Sequence, residues 1–318
     1  MKNSRQFAET YVQPLVAGLL ALVTLIGLIG PAIKSPQPHD IPIGIVAVQG
    51  GQTQTAVFVP SGPFRVTTYD SEKAARDAID SRDIVAAMVL DPASPRLVVA
   101  GAAGDGVTGV VTAVFSGVFQ KSGLPLTVET VHPFASGDPH GLILFFVVLA
   151  ILVSTLIVNA LLGLRREAGL LASVGLVAVY ALVAAPVAMG LATWIAGDYG
   201  GGSWSATALV ALASAAVGMV IVGMGRLLGR PGVALAALVA VLLDLVCSGG
   251  PIGSALLPDA YRFFAPAMPA GQLFSGIRGA LYFDGAGVSE PVFVLSLWLL
   301  AGLILIAVSR FTVRAANR

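Results

Sequence analysis

Asp244 is the one acid well inside a long apolar block, so its chemistry is the first question the chain raises. A carboxylate buried in a bilayer costs several kcal/mol unless it is paired, hydrated or neutral. It reads either as a residue lining a translocation path or as a polar contact between helices. Equally, it reads as a group near the outer headgroups, since its block ends by Cys247-Ser248. Just beyond it, Gly249-Gly250-Pro251 must break a helix. Arg278 then lies in a short segment read as amphipathic. Asn159, near the inner end of another block, reads as an interhelical hydrogen-bond partner.

Other reactive types are sparse. The three histidines, His39, His132 and His140, lie near the ends of one polar region, without His-x-x-x-His or Cys-x-x-Cys spacing; they read as solvated loop residues, and no metal site is expected. Cys247 is alone, which excludes an intrachain disulfide and a redox pair, and reads as a small packing residue. No Gly-x-Ser-x-Gly and no Walker A sequence is present, so neither hydrolase chemistry nor ATP hydrolysis is expected of this chain, and no cofactor. Nothing in the charge distribution selects nucleic acid as a partner.

The elements that carry these residues are apolar blocks near 15–33, 141–163, 169–196, 205–225, 231–248 and 291–309. About 20 apolar residues cross the hydrocarbon core as a helix, so six spans in an α-helical polytopic membrane protein are expected. A mean hydropathy of +0.89 and a charged fraction of 11% agree. Lys2, Arg5, Arg165, Arg166, Arg226, Arg230, Arg310, Arg314 and Arg318 sit at block ends on alternating sides, whereas the 197–204 loop has no Lys or Arg. The positive-inside rule then puts both termini in the cytoplasm of a multi-pass plasma-membrane protein. The Ala/Gly/Val-rich composition fits a bacterial source. The first block reads as a retained anchor closed by Pro31, Lys34, Pro36 and Pro38, and residues 3–12 as a short interfacial helix. Gly218, Gly223 and Gly225, and Ala234, Ala236 and Ala237, are expected to mark tight helix packing.

The chain divides into three regions: 1–34 with the first span, 35–140 as an extracytoplasmic α/β domain, and 141–318 with five spans and a broken outer hairpin at about 249–290. Within the second, strands are expected at Ile43–Val48, Phe64–Tyr69, Ile84–Leu90, Arg96–Ala100 and Leu126–Val131. Asp70 reads as the cap of a helix with Glu72 in its first turn and Ala75, Ala78, Ile79 and Arg82 at helical spacing. A second helix from Asp105 is expected to bury Val107, Val110, Val111, Val114 and Val118. Its other face (Thr108, Gly109, Thr112, Ser116, Gly117) is a solvated surface or a close-packing one.

Several segments carry a family resemblance: Asp70–Pro92, the Arg166-Glu167-Ala168-Gly169 turn, Ser248-Gly249-Gly250-Pro251, Pro266-Ala267-Met268-Pro269 and the run from Ile277 to Phe283. In this order the chain resembles an ABC-2 type transporter permease, of the branch that includes phage-infection-protein-like membrane proteins. The resemblance implies the membrane subunit of an ATP-driven exporter, working in the bilayer with a cytoplasmic ABC ATPase subunit and a second permease protomer, as a homo- or heterodimer. It implies an ATPase-coupling surface at Arg5, Phe7, Glu9 and Tyr11 and at Arg165, Arg166 and Glu167, although topology anchoring also explains those arginines. Asp244, Gly249, Gly250, Pro251 and Arg278 would then belong to the path or its gate. The alternatives are a non-transporting scaffold whose α/β domain binds an envelope or secretion partner, and a proton-coupled carrier using Asp244, which lacks the expected inverted repeats.

Overall fold

The computed structural model describes residues 11–34, 36–47, 62–91, 94–164 and 169–316. Helix α1 (Gln13–Ile33) precedes an α/β domain made of β1 (Ile41–Ala47), β2 (Phe64–Tyr69), α2 (Glu72–Asp80), β3 (Ala86–Leu90), β4 (Arg96–Ala100), α3 (Asp105–Lys121) and β5 (Thr127–Val131). Next come α4 (Leu142–Leu164), α5 (Leu170–Ala196), α6 (Ser203–Leu228) and α7 (Arg230–Ala237). A π-helical segment, Leu238–Leu243, carries α7 into α8 (Asp244–Cys247). Short 3-10 turns, α9 (Asp259–Phe264), α10 (Pro269–Tyr282) and α11 (Ser289–Ala316) complete the chain.

Five helices are long and apolar enough to cross a bilayer: Leu142–Leu164, Leu170–Ala196, Ser203–Leu228, Arg230–Ile252 and Ser289–Ser309. Helix α1 forms where the first span is expected, but its apolar run in the described residues, Gly18–Ile33, is shorter. Pro31 lies inside α1 rather than ending it.

Helix α6 is the axis of the bundle. Of its span 72% is buried, against 22% for α5 and for α11, because it packs on α4, α5, α7, α10 and α11. Small residues permit these approaches. A Cβ on Gly223 would stand 2.6 Å from Leu305 on α11, and one on Gly225 would stand 2.9 Å from Gly163 on α4. In α7 and the π-helical segment after it the packing stripe is Gly232, Ala236 and Ala240; of the three expected alanines Ala236 is buried, Ala237 half-buried and Ala234 exposed.

The domain's sheet runs β2-β1-β3-β4-β5, parallel except between β3 and β4. Alternate residues of each strand face opposite helices, as the pleat requires. Ile41, Ile43 and Ile45 of β1, with Met88, Leu97 and Val99, pack against Val111, Phe115 and Phe119 of α3. Val46, Val89 and Val98 pack against Ala75, Ala78 and Ile79 of α2. The buried face of α3 is therefore Val107, Val111, Phe115 and Phe119; Val110, Val114 and Val118 are half-buried, since the larger rings take the core.

The N-cap of α2 is Ser71, whose Oγ accepts from the Ala74 N–H at 3.2 Å, and not Asp70. Glu72 does occupy the first turn, and it also closes an ion-pair network. Its carboxylate accepts from Arg76 Nε at 3.0 Å and from Arg96 Nη2 at 2.6 Å, while Arg76 Nη2 reaches Glu129 at 2.6 Å. This ties α2 to β4 and β5. Hydrogen bonds from Arg96 hold the Glu72 carboxyl below its ordinary 4.5, and Arg76 does the same to Glu129. Depressed native values add stability above the ordinary value and lose it as pH falls through the lowered ones. Amide protection in β4 and β5 of the whole protein, taken relative to the intrinsic exchange rate at each pH, should therefore fall on acidification below pH 4.5, and Glu72→Ala should bring that loss of protection to neutral pH at a cost of about 1 kcal/mol, the network being partly exposed.

Candidate functional site

The break after α8 is where the two halves of the molecule meet. Gly249 and Gly250 adopt φ +70° and +47°, and a Cβ on Gly249 would stand 2.4 Å from the Gly253 carbonyl carbon. Only glycine suits such a position. The expected break at Gly249-Gly250-Pro251 is therefore present, and Pro251 sits in the 3-10 turn Gly250–Ile252.

Beyond the break the chain runs into the interior, and α10 is not an amphipathic surface helix. It buries ten of its fourteen residues against α6, α11, α4 and α8. Its Ala270, Leu273, Phe274, Ile277, Ala280 and Leu281 belong to the core of the membrane helices, while the two cores of the α/β domain reach the segments on either side of it. Ile252, Ala255 and Leu256 extend the α3 side, and Tyr282, Phe283 and Ala286 extend the α2 side. Gly106, at the start of α3, lies so close to Ile252 that a Cβ would stand 2.3 Å from its carbonyl oxygen.

Asp244 is fully buried, and its Oδ1 accepts from the Ala270 N–H at 2.7 Å. It thus caps the first turn of α10 from another helix, supplying one of the acceptors that a helix N-terminus needs. This hydrogen bond is a polar contact between helices, one of the readings left open by the sequence. Its Oδ2 has no hydrogen-bond partner. The π-helical segment lies immediately before Asp244, and such bulges often occur at functional sites.

Arg278 projects from α10 to the domain: Nη1 donates to the Ala103 carbonyl and, at 3.5 Å, to Ala102, and its guanidinium carbon lies 4.6 Å from the Phe274 ring centroid. Its Nε is shut off from water and unpartnered. Arg82 makes the converse contact, from the domain to the hairpin. It donates to the Ser275 carbonyl at 3.1 Å, the Ala286 carbonyl at 3.2 Å and Ser275 Oγ at 3.0 Å. Arg82 lies beyond α2 with φ +65°, so the helical spacing expected to include it ends earlier. Desolvation lowers the pKa of both: Arg82 downward, and Arg278 to about 9 with Arg82 adding. At neutral pH both remain charged.

A cavity of about 350 Å³ opens at this seam, bounded by Cys247 and Ser248 of the break, Gln272 and Arg278 of α10, and Arg262 and Glu290. Arg262 is engaged by Asp40 at 3.1 Å and Asp259 at 2.9 Å. A second, apolar cleft of about 190 Å³ borders the same break, between Ile29 and Ala32 of α1, Phe145 of α4 and Leu245. Tyr261 anchors α1 here by donating to the Leu28 carbonyl at 2.9 Å.

The histidines are not free loop residues. His132 pairs with Asp80 at 2.7 Å and His140 with Asp105, while His39 approaches Asp259 at 3.8 Å. The His39 pair reaches α9, whereas His132 and His140, the latter exposed, fasten the end of the domain to its own helices α2 and α3. Among the described residues no three His, Cys, Asp or Glu side chains gather as metal ligands. Asn159 is corrected: it donates to Thr155 of its own helix at 2.8 Å, and the interhelical bond is Thr155 to Ser214 at 2.8 Å. Cys247 is buried and free. Asp138 was not singled out by the sequence, yet it is buried and accepts from Ile143 N–H at 3.0 Å, capping α4. Its position just before a long apolar run was the available signal.

Of the coupling-surface residues, Arg5, Phe7, Glu9, Arg165, Arg166 and Glu167 lie outside the described residues, as does most of the 3–12 segment. Tyr11 is exposed at the start of α1.

Two substitutions probe the break. Gly249→Ala should cost about 2 kcal/mol or more through left-handed strain and the backbone clash, read as a lowered unfolding temperature of the detergent-solubilised protein. Asp244→Ala should cost about 2 kcal/mol by leaving the Ala270 N–H unpaired, whereas Asp244→Asn keeps the acceptor and should lose well under half of that. No family model, no curated protein and no solved structure matches this chain.

Proposed function

We propose that the chain is the membrane-spanning permease subunit of an ATP-driven exporter of the ABC-2 type. In this reading α1 is the sixth span, the termini and the 164–169 turn face the cytoplasm, and the α/β domain lies outside. The orientation rests on the arginines and lysines at alternate block ends. A separate ATPase docks through Arg5 and Tyr11 and through Arg165, Arg166 and Glu167, and a second protomer completes the path.

The observation that carries the reading is the broken segment shared by the membrane helices and the domain. Helix α10 packs on α6 and α11 at the bundle axis and is pinned to the domain by Arg82 and Arg278. A shift of the spans during an ATPase cycle would therefore move the domain and the Gly249–Pro251 break together, which suits a gate. The chain lacks a Walker A sequence, so hydrolysis must come from a partner.

The test is a mild-detergent purification of the tagged protein with subunit identification and an ATPase assay. An ATPase should co-purify, and replacing Arg165, Arg166 and Glu167 together by alanine should reduce its recovery about tenfold. Recovery of envelope proteins without any ATPase would replace this reading with the scaffold one.

A further inference from the structure

The polar cavity at the seam holds a cation that the protein itself does not neutralise. No carboxylate lies within salt-bridge distance of Arg278 among the described residues, and its contacts are two carbonyls and a ring. Its Nε is unpartnered and shielded from water, and so is Nδ1 of His39, which also lines the cavity. A buried donor without an acceptor is costly, and a buried charge more so.

We propose that this cavity binds an acidic group, a phosphate or a carboxylate, with Arg278 as its cationic anchor. The guanidinium is suited to it, because its planar fork of N–H donors matches such oxyanions. The other charges of the wall do not cancel this preference. Arg262 is already balanced by Asp40 and Asp259. Glu290 is exposed at the start of α11 and acts on Arg82, so water reduces its repulsion of an incoming anion to a few-fold effect without abolishing it. Arg278 sits where the effective dielectric is low, and its field is the stronger. Of the remaining polar wall, Gln272 Nε2 donates to the Pro266 carbonyl at 2.8 Å, Ser248 Oγ donates to the Leu245 carbonyl at 2.6 Å and Ser275 Oγ accepts from Arg82 at 3.0 Å, while the Ser254 hydroxyl is a further donor on the wall. The site thus offers one anchor for one acidic group.

The acidic group has two sources. A free anion would use the polar cavity alone. An anionic lipid would also use the apolar cleft bordering the same break, where Ile29, Ala32, Phe145 and Leu245 could hold an acyl chain. The proposal does not depend on the permease reading, since it concerns binding to the full chain without an ATPase.

Thermal unfolding of the full-length protein in detergent, at fixed ionic strength, distinguishes the outcomes. The probes are inorganic phosphate, dioctanoyl phosphatidic acid and, as the neutral control, dioctanoyl phosphatidylcholine. At least one acidic probe should raise the unfolding temperature saturably, and phosphatidylcholine should not. Glu290→Gln, an exposed change, should tighten that probe about threefold. Arg278→Gln should weaken it about tenfold or more. Saturation with inorganic phosphate assigns a free anion. Saturation with phosphatidic acid alone, lost in Ile29→Trp, assigns a lipid headgroup. No saturable shift in the wild type and in Glu290→Gln overturns the proposal. So does a shift that is the same in both, which marks general stabilisation by an excluded salt. If Arg278→Gln does not fold, Glu290→Gln decides alone.

Discussion

A helix broken inside a membrane protein exposes backbone N–H and C=O groups that lipid cannot satisfy, so the protein must supply their partners. In this chain that requirement organises everything between Gly249 and Ala286. Asp244 takes the Ala270 N–H, and Ser248 Oγ takes the Gly250 N–H at 3.1 Å. Gln272 donates to the Pro266 carbonyl and Trp298 of α11 to the Ala267 carbonyl at 2.7 Å. Arg82 closes the far end on Ser275 and Ala286. Five side chains, from α8 and its C-cap, from α10, from α11 and from the domain, therefore hold one irregular backbone. One oxygen of a carboxyl group in an apolar block, expensive alone, is satisfied by this arrangement.

The same segment completes the α/β domain. A five-stranded sheet covered by two short helices has limited apolar area to bury, and here both of its faces borrow residues from the break. Leu256 is enclosed with Val107 and Phe115 on one side, and Phe283 with Ile79 and Ala100 on the other. Domain and bundle are consequently one packing problem. The glycine at 106 belongs to that contact and not to a turn, since its neighbour is the Ile252 carbonyl.

Strands and spans were legible because their signals are periodic and local. Phe64–Tyr69, Arg96–Ala100 and the start of α3 at Asp105 fall where alternation and helical spacing put them. The break at Gly249-Gly250 was legible because a glycine pair and a proline leave few alternatives. Errors concentrate where tertiary contact decides. Ser71 and Asp70 are both competent caps, and only the backbone path selects the first. Phe115 and Phe119 displace Val114 and Val118 from the core because a large ring buries more area. Helix α10 looked amphipathic because its polar residues, Gln272, Ser275 and Arg278, are partnered inside the protein rather than by water. Arg82 was read only as a helix position, and its role was hidden, since a residue 193 positions from its Ser275 partner leaves no local pattern.

The two arginines at the seam also determine how firmly it is fastened. A link made by opposite charges weakens gradually as salt screens it. Here the guanidinium groups grip carbonyls: Arg82 those of Ser275 and Ala286, Arg278 that of Ala103. Hydrogen bonds to backbone acceptors are directional and fail over short displacements. The domain and α10 are thus either engaged or released, with little between, and a buried charge left without its acceptors makes release costly. Tilting α10 against α6 without disturbing the domain would strand those charges. Any displacement that keeps those hydrogen bonds must carry α10 and the domain together.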